Sequence, residues 1–193
     1  MTNDPTKSTN PFEILGFTPS FSIAPDQVQR AYLQRLTASH PDLSGQSAQT
    51  LDPATLNYAR DTLLDDEARA NLMLEHLGGP SPKDHTLPDG FLMEMMQLRT
   101  QIEEELDPSN PDHAQARTQW QAWANAERAQ TIQTLAQIFK QLESPNPDAS
   151  TEALTDSPEE LKQSIRTHLN AHRYTQRLIE QLDPTYDPSS ADF

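Results

Sequence analysis

Apolar residues recur every three or four positions through most of this chain, and the phase of that repeat predicts where helices run. Between Pro25 and Ser39, Val28, Tyr32 and Leu36 fall on one stripe, while Gln27, Arg30 and Gln34 face away. Upstream, Asn10-Pro11-Phe12-Glu13-Ile14-Leu15-Gly16 has a capping Asn, a Pro at the first helical position and a closing Gly, which together predict a short helix. A third helix opens at Asp52-Pro53 and carries Leu56, Ala59, Leu63 and Leu64 on one side. Asp65-Asp66 interrupts it, and a fourth runs from Glu67 to Leu77 with Ala70, Leu74 and Leu77 aligned. Residues 10–79 therefore form a predicted four-helix domain. Gly78-Gly79-Pro80-Ser81-Pro82 stops its last helix, and 80–90 reads as a linker.

Beyond the linker, Phe91, Met95, Leu98, Ile102 and Leu106 fall within an arc of about 80°, the width of a core-facing stripe. Leu92, Met93 and Met96 do not fit it. They lie on a second arc centred about 140° away, with Thr100 beside them. Either another helix covers this second face, or it is an exposed patch for a partner, a use to which flexible, polarisable Met is suited. A helix from about Pro111 to Leu142 places Trp120, Ala124, Thr131, Leu135, Ile138 and Leu142 near one side, broadened by Trp123 and Phe139. The two Trp are expected in the core. After a Pro-, Asn- and Ser-rich break, a last helix starts at Ser157-Pro158-Glu159-Glu160 and extends to about Asp183. Its stripe is Leu161, Ile165, Leu169, His172, Gln176 and Ile179, and Tyr174 points away, able to join Leu92, Met93 and Met96. Short connections predict an antiparallel three-helix bundle over 91–183, so the fold class is all-α, with 1–9 and 184–193 as flexible tails.

Composition narrows the chemistry. The chain has 193 residues, a formal charge of −15, 34% hydrophobic residues, 16 Pro, five Gly and no Cys. The charge opposes nucleic-acid binding, since phosphate recognition needs a basic face. Without Cys there are no disulfides, thiolate metal sites or cysteine nucleophiles. The start, Met1-Thr2-Asn3-Asp4-Pro5, lacks the basic and apolar parts of a signal peptide, and no stretch approaches membrane-spanning length, so a cytoplasmic protein without a membrane partner is expected.

Candidate enzyme features are weak. His168 and His172 have metal-ligand spacing, but the run His168-Leu169-Asn170-Ala171-His172 lacks both the Glu of a zinc protease and a third ligand. His172 is better explained as a packed, hydrogen-bonded side chain. Glu103-Glu104-Glu105 diverge by about 100° each on a helix, cannot face one another across a substrate, and read as a solvated face. The expectation is no enzyme, no metal and no cofactor.

One tripeptide carries more. His40-Pro41-Asp42 sits where the second helix must stop, because Pro41 moves His40 out of helical conformation and cannot continue the ladder. An ordinary helix-stop loop would carry such residues too, but so would a stiff docking corner. Arg30 and Arg35 on the preceding helix are spaced to lie within reach of each other on its outer side and to meet an acidic partner surface, unless both are merely solvated.

With Asn10 to Gly16, His40-Pro41-Asp42, Leu56-Asn57-Tyr58-Ala59 and Asp66-Glu67-Ala68-Arg69-Ala70, the first domain resembles a J-domain, the module by which co-chaperones engage DnaK-type chaperones. Phe91 to Arg99 and, more weakly, Ala171-His172-Arg173-Tyr174 resemble the C-terminal domain of the HscB family, the J-domain co-chaperones of iron-sulfur cluster assembly. The resemblance covers most of residues 10 to 183, and the order of the domains matches. It implies a DnaK-type (HscA-like) chaperone at His40, Pro41 and Asp42, aided by Arg30 and Arg35. It also implies an IscU-type scaffold protein at Leu92, Met93, Met96 and Tyr174, with Gln97 and Thr100 on the same face. The chain departs from the family pattern at Gln97 and Thr100, where Glu is common, and at Leu43, where a basic residue is usual. The loop before Asn57 also looks short. A J-domain protein for a different client, a helical interaction module that does not stimulate a chaperone and, remotely, an unrecognised hydrolase are the competing readings.

Overall fold

A computed structural model describes residues 10–39, 51–107, 109–143 and 157–181. Among these residues the protein is all-helical: α1 (Pro11–Leu15), α2 (Pro25–Ala38), α3 (Pro53–Leu64), α4 (Asp66–His76), α5 (Phe91–Glu105), α6 (His113–Glu143) and α7 (Pro158–Gln181). The chain divides into two compact units between Gly78 and Gly79.

In the first unit, local chemistry sets the helix ends. Asn10 Oδ1 accepts from the Phe12 N–H at 3.0 Å, and Gly16 closes α1 at φ 80°, a conformation that costs a side-chain-bearing residue steric strain. Pro25 opens α2, where Gln27 reaches back to accept from the Ala24 N–H at 3.1 Å. Asp65 ends α3 and caps α4 by accepting from the Ala68 N–H at 2.7 Å. α1 and α2 both pack on α3. Phe12, Ile14, Val28, Leu56, Ala59, Leu63 and Leu74 are fully buried, each large side chain stabilising by about 1.5–3 kcal/mol. Leu64, expected on the inner side of α3, is partly exposed, because the break at Asp65 follows it at once.

Two elements of this core lie outside any periodic stripe. Phe21 and Ile23, in the connection between α1 and α2, are buried. So is Arg69, whose guanidinium donates to the carbonyl oxygens of Phe21 at 2.8 Å and Leu63 at 2.5 Å, pairs with Asp66, and lies 5.0 Å from the Phe21 ring centroid. A buried cation persists because each direction it faces offers an acceptor or a ring.

The second unit is built on the α6/α7 pair, with α5 beside it. Ser157 and Glu160 form a reciprocal cap at the start of α7, as their spacing predicts. Ile165 and Leu169 are fully buried, and buried His172 meets Gln176 at 3.1 Å between Nε2 atoms. Trp120 and Trp123 stand edge to face 5.7 Å apart and pack on Ile102, Ala124 and Leu178, while the Trp120 indole N–H donates to Glu105 at 2.8 Å. Glu105 is thus partly drawn inward rather than being a purely solvated side chain.

The segment before α5 is fastened to this unit. Arg166 on α7 is buried and donates to the Pro80 carbonyl oxygen from Nε at 3.3 Å and from Nη2 at 3.2 Å. Asn170, one turn on, donates to the carbonyl oxygens of Asp84 at 2.8 Å and Thr86 at 3.0 Å, and Gln163 donates to the Asp84 carboxylate at 3.2 Å. Its Pro- and Gly-rich composition reads as a linker. The side chains that hold it come from a helix some eighty residues away in sequence.

Candidate functional site

α2 delivers the chain to the tripeptide. It ends at Ala38, with the Ser39 N–H donating to the Arg35 carbonyl oxygen at 3.0 Å. His40, Pro41 and Asp42, and Leu43 after them, lie outside the described residues. Arg30 is exposed and pairs with Asp26 one turn before it at 2.6 Å. Arg35 takes a different direction. Its guanidinium lies over Gly16, so close that a Cβ built there would meet Nη2 at 2.8 Å. The two arginines are therefore engaged differently, one in an exposed ion pair and one half-buried against the end of α1. Leu33, one turn beyond Arg30, is half exposed; its only sequence signal is an apolar residue off the Val28–Tyr32 stripe.

The outer face of α5 is open. Leu92 is 52% exposed, Met93 68% and Met96 72%, and with Gln97 and Thr100 they line one shallow, largely apolar depression. No other helix covers it among the described residues, so the sandwiched alternative does not hold. The geometry follows from phase: with Ile102 buried and Phe91, Met95 and Leu98 turned toward α6 and α7, the second apolar arc must face water. Thr100 directs its hydroxyl to the Met96 carbonyl oxygen at 3.0 Å, and Arg99 pairs with Glu103 at 2.8 Å along one flank. Among the described residues, the depression has no charged side chain in its lining. Tyr174 is 41% exposed and meets α5 through Phe91, ring centroids 5.8 Å apart and edge to face. It joins the first turn of the helix rather than the lining of the depression.

The chain superposes on the chaperone HscB from Vibrio cholerae with a TM-score of 0.62 at 20% sequence identity, covering 90% of this chain and 94% of that one. The fold is that of the HscB co-chaperones. Human co-chaperone protein HscB superposes with a TM-score of 0.63 at 21% identity, covering 94% of this chain and 83% of its own. No protein-family model matches the chain, and no curated protein matches it in sequence. In the HscB fold a J-like domain precedes a helical bundle, and the two units follow that order. No helix among the described residues is long and apolar enough to cross a membrane. Nor do the described residues hold a cluster of three or more His, Asp or Glu placed to bind a metal ion.

Proposed function

We propose that this chain is a J-domain co-chaperone that carries an IscU-type scaffold protein to a DnaK-type, HscA-like chaperone and raises that chaperone's ATP hydrolysis. One observation supports it above all: a chain with the HscB fold leaves Leu92, Met93 and Met96 in water on one face of α5, although burying them would stabilise an isolated protein. Such a face suits a partner with a complementary apolar surface; Gln97 and Thr100 belong to it, and Tyr174, beside Phe91 at the first turn, offers the same partner a separate contact. On the first unit, His40, Pro41 and Asp42 dock on the chaperone's nucleotide-binding part, with Arg30 and Arg35 steering the approach. Docking favours the hydrolysis-competent state of the chaperone, so ATP turnover rises in the partner while the adaptor does no chemistry. Carrying both contacts on one chain raises the effective concentration of client at the chaperone, so each interface can be weak.

Single-turnover ATP hydrolysis by the chaperone, with and without this protein, tests the first contact. Wild type accelerates it and His40→Gln does not; equal acceleration by both removes the docking role. Co-purification with the scaffold tests the second, and Met93→Ser with Met96→Ser abolishes it. If the chaperone is recovered without a scaffold even by the wild type, the client is a different protein, a reading that the uncharged Gln97 and Thr100 favour.

A further inference from the structure

The bundle contains a cleft that the proposed docking face does not use. α5 meets the other two helices near its C-terminal end, where Ile102 packs with Ala124 and Leu178, and at its first turn, where Phe91 meets Tyr174. Between these points lies a half-open cleft of about 470 Å³. Its cause is legible in α6, which presents Glu127, Gln130, Thr131 and Thr134 to it where close packing would need large apolar side chains. Phe91, Met95 and Leu98, expected on the core stripe, are therefore only half-buried and line the cleft.

In the lining, Met95, Leu98 and Trp123 are half-buried and His172 is buried, and the two carboxylates belong to exposed Glu94 and half-buried Glu127. Among the described residues, no lysine or arginine lines it. Burial holds the His168 imidazole below its ordinary range, so at neutral pH that ring brings no positive charge. A cavity of this size falls within the range that holds small molecules, about 300–1,000 Å³.

We propose that this cleft binds a small amphipathic organic cation, with its flat apolar body against the half-buried Met95, Leu98 and Trp123 and its ammonium, amidinium or guanidinium head drawn to the carboxylates in the lining, Glu94 and Glu127. Each part has a physical warrant. Aromatic faces attract cations through their quadrupole, and a carboxylate accepts charge-assisted hydrogen bonds from such a head group. An anion meets two like charges. A neutral molecule of the same shape fills the walls but leaves the carboxylates without a counter-charge.

Benzamidine and its uncharged analogue benzamide are suitable probes, followed by amide and indole NMR shifts of the full-length protein. Benzamidine is expected to shift the Trp123 indole and the Thr131 and Thr134 amides with Kd near or below about 1 mM, and benzamide to bind at least about tenfold more weakly. Glu94→Gln combined with Glu127→Gln should abolish the difference between the probes, and Ala171→Phe, which fills the cleft, should abolish both. Met93→Ser, on the outer face, should leave binding unchanged. Equal affinity for the two probes in the wild type, shifts confined to Leu92, Met93 and Met96, or no shift up to about 10 mM would each overturn the site. Loss of scaffold binding by Met93→Ser with benzamidine binding intact keeps this test separate from that of the proposed function.

Discussion

At the scale of single residues, the side chains with the most at stake are polar ones in apolar surroundings. Arg69 satisfies two backbone carbonyls, one carboxylate and one aromatic face at once, a set of directions that matches a planar fork of donors. Arg69→Lys keeps the charge but not the fork, and should lower stability by about 2–3 kcal/mol, read as a drop in the urea midpoint at constant slope. A change of a few tenths would mean the carbonyls find water instead. Gly16 is constrained by its own φ of 80° and by the Arg35 guanidinium above it. Gly16→Ala should cost about 1–2 kcal/mol, mostly from backbone strain, because the tip of Arg35 can swing aside.

His168 links one residue to pH. Burial depresses its pKa from the ordinary 6.5. The unfolded chain then takes up this proton more readily than the folded one. The corresponding stability is present above pH 6.5 and is lost as the pH falls through the lower folded value. Urea midpoints measured from about pH 7.5 to about pH 5 should fall across that window, and His168→Gln should flatten the fall. An identical slope in the variant would assign the acid sensitivity to another group.

At the scale of elements, α5 and the segment before it obey opposite rules. The outer face of α5 already lies in water, so Met93→Ser and Met96→Ser should each change stability by no more than about 0.5 kcal/mol while weakening capture of the partner at least about tenfold. A large stability loss would mean that the face is covered in the free protein. Residues 80–86 are instead held by donors from α7. Arg166→Ala leaves the Pro80 carbonyl oxygen without that donor and opens space under the segment, with an expected loss of about 2–4 kcal/mol. Hydrogen exchange should accelerate at the amides of Lys83 and Thr86, and unchanged protection there would show that the helix does not pin the segment.

At the scale of the whole molecule, two cores are built from separate stretches of chain, Phe12 to Leu74 in one and Ile102 to Leu178 in the other. Substitutions in different cores change different units, so their effects should add. Leu56→Ala and Leu169→Ala are each expected to cost about 2–5 kcal/mol, the first shifting unfolding of the first unit and the second that of the bundle. A single transition that moves equally with both would show the two units unfolding as one.

The helices were legible in the chain because local chemistry determines them. Asn10, Pro11 and Gly16 bound α1, Ser157 and Glu160 cap α7, and the phase of Phe91, Met95, Leu98 and Ile102 already sends Leu92, Met93 and Met96 to the other side. Helical period depends only on sequence neighbours, so one stretch suffices to read it. Contacts between distant stretches are a different matter. That Arg69 would meet Phe21, that Arg166 and Asn170 would fasten residues 80–86, and that polar side chains of α6 would leave a cleft under α5 depends on which helices come to lie side by side. Periodicity reports which face of a helix is apolar, but only the packed molecule decides what stands opposite that face and how closely it fits.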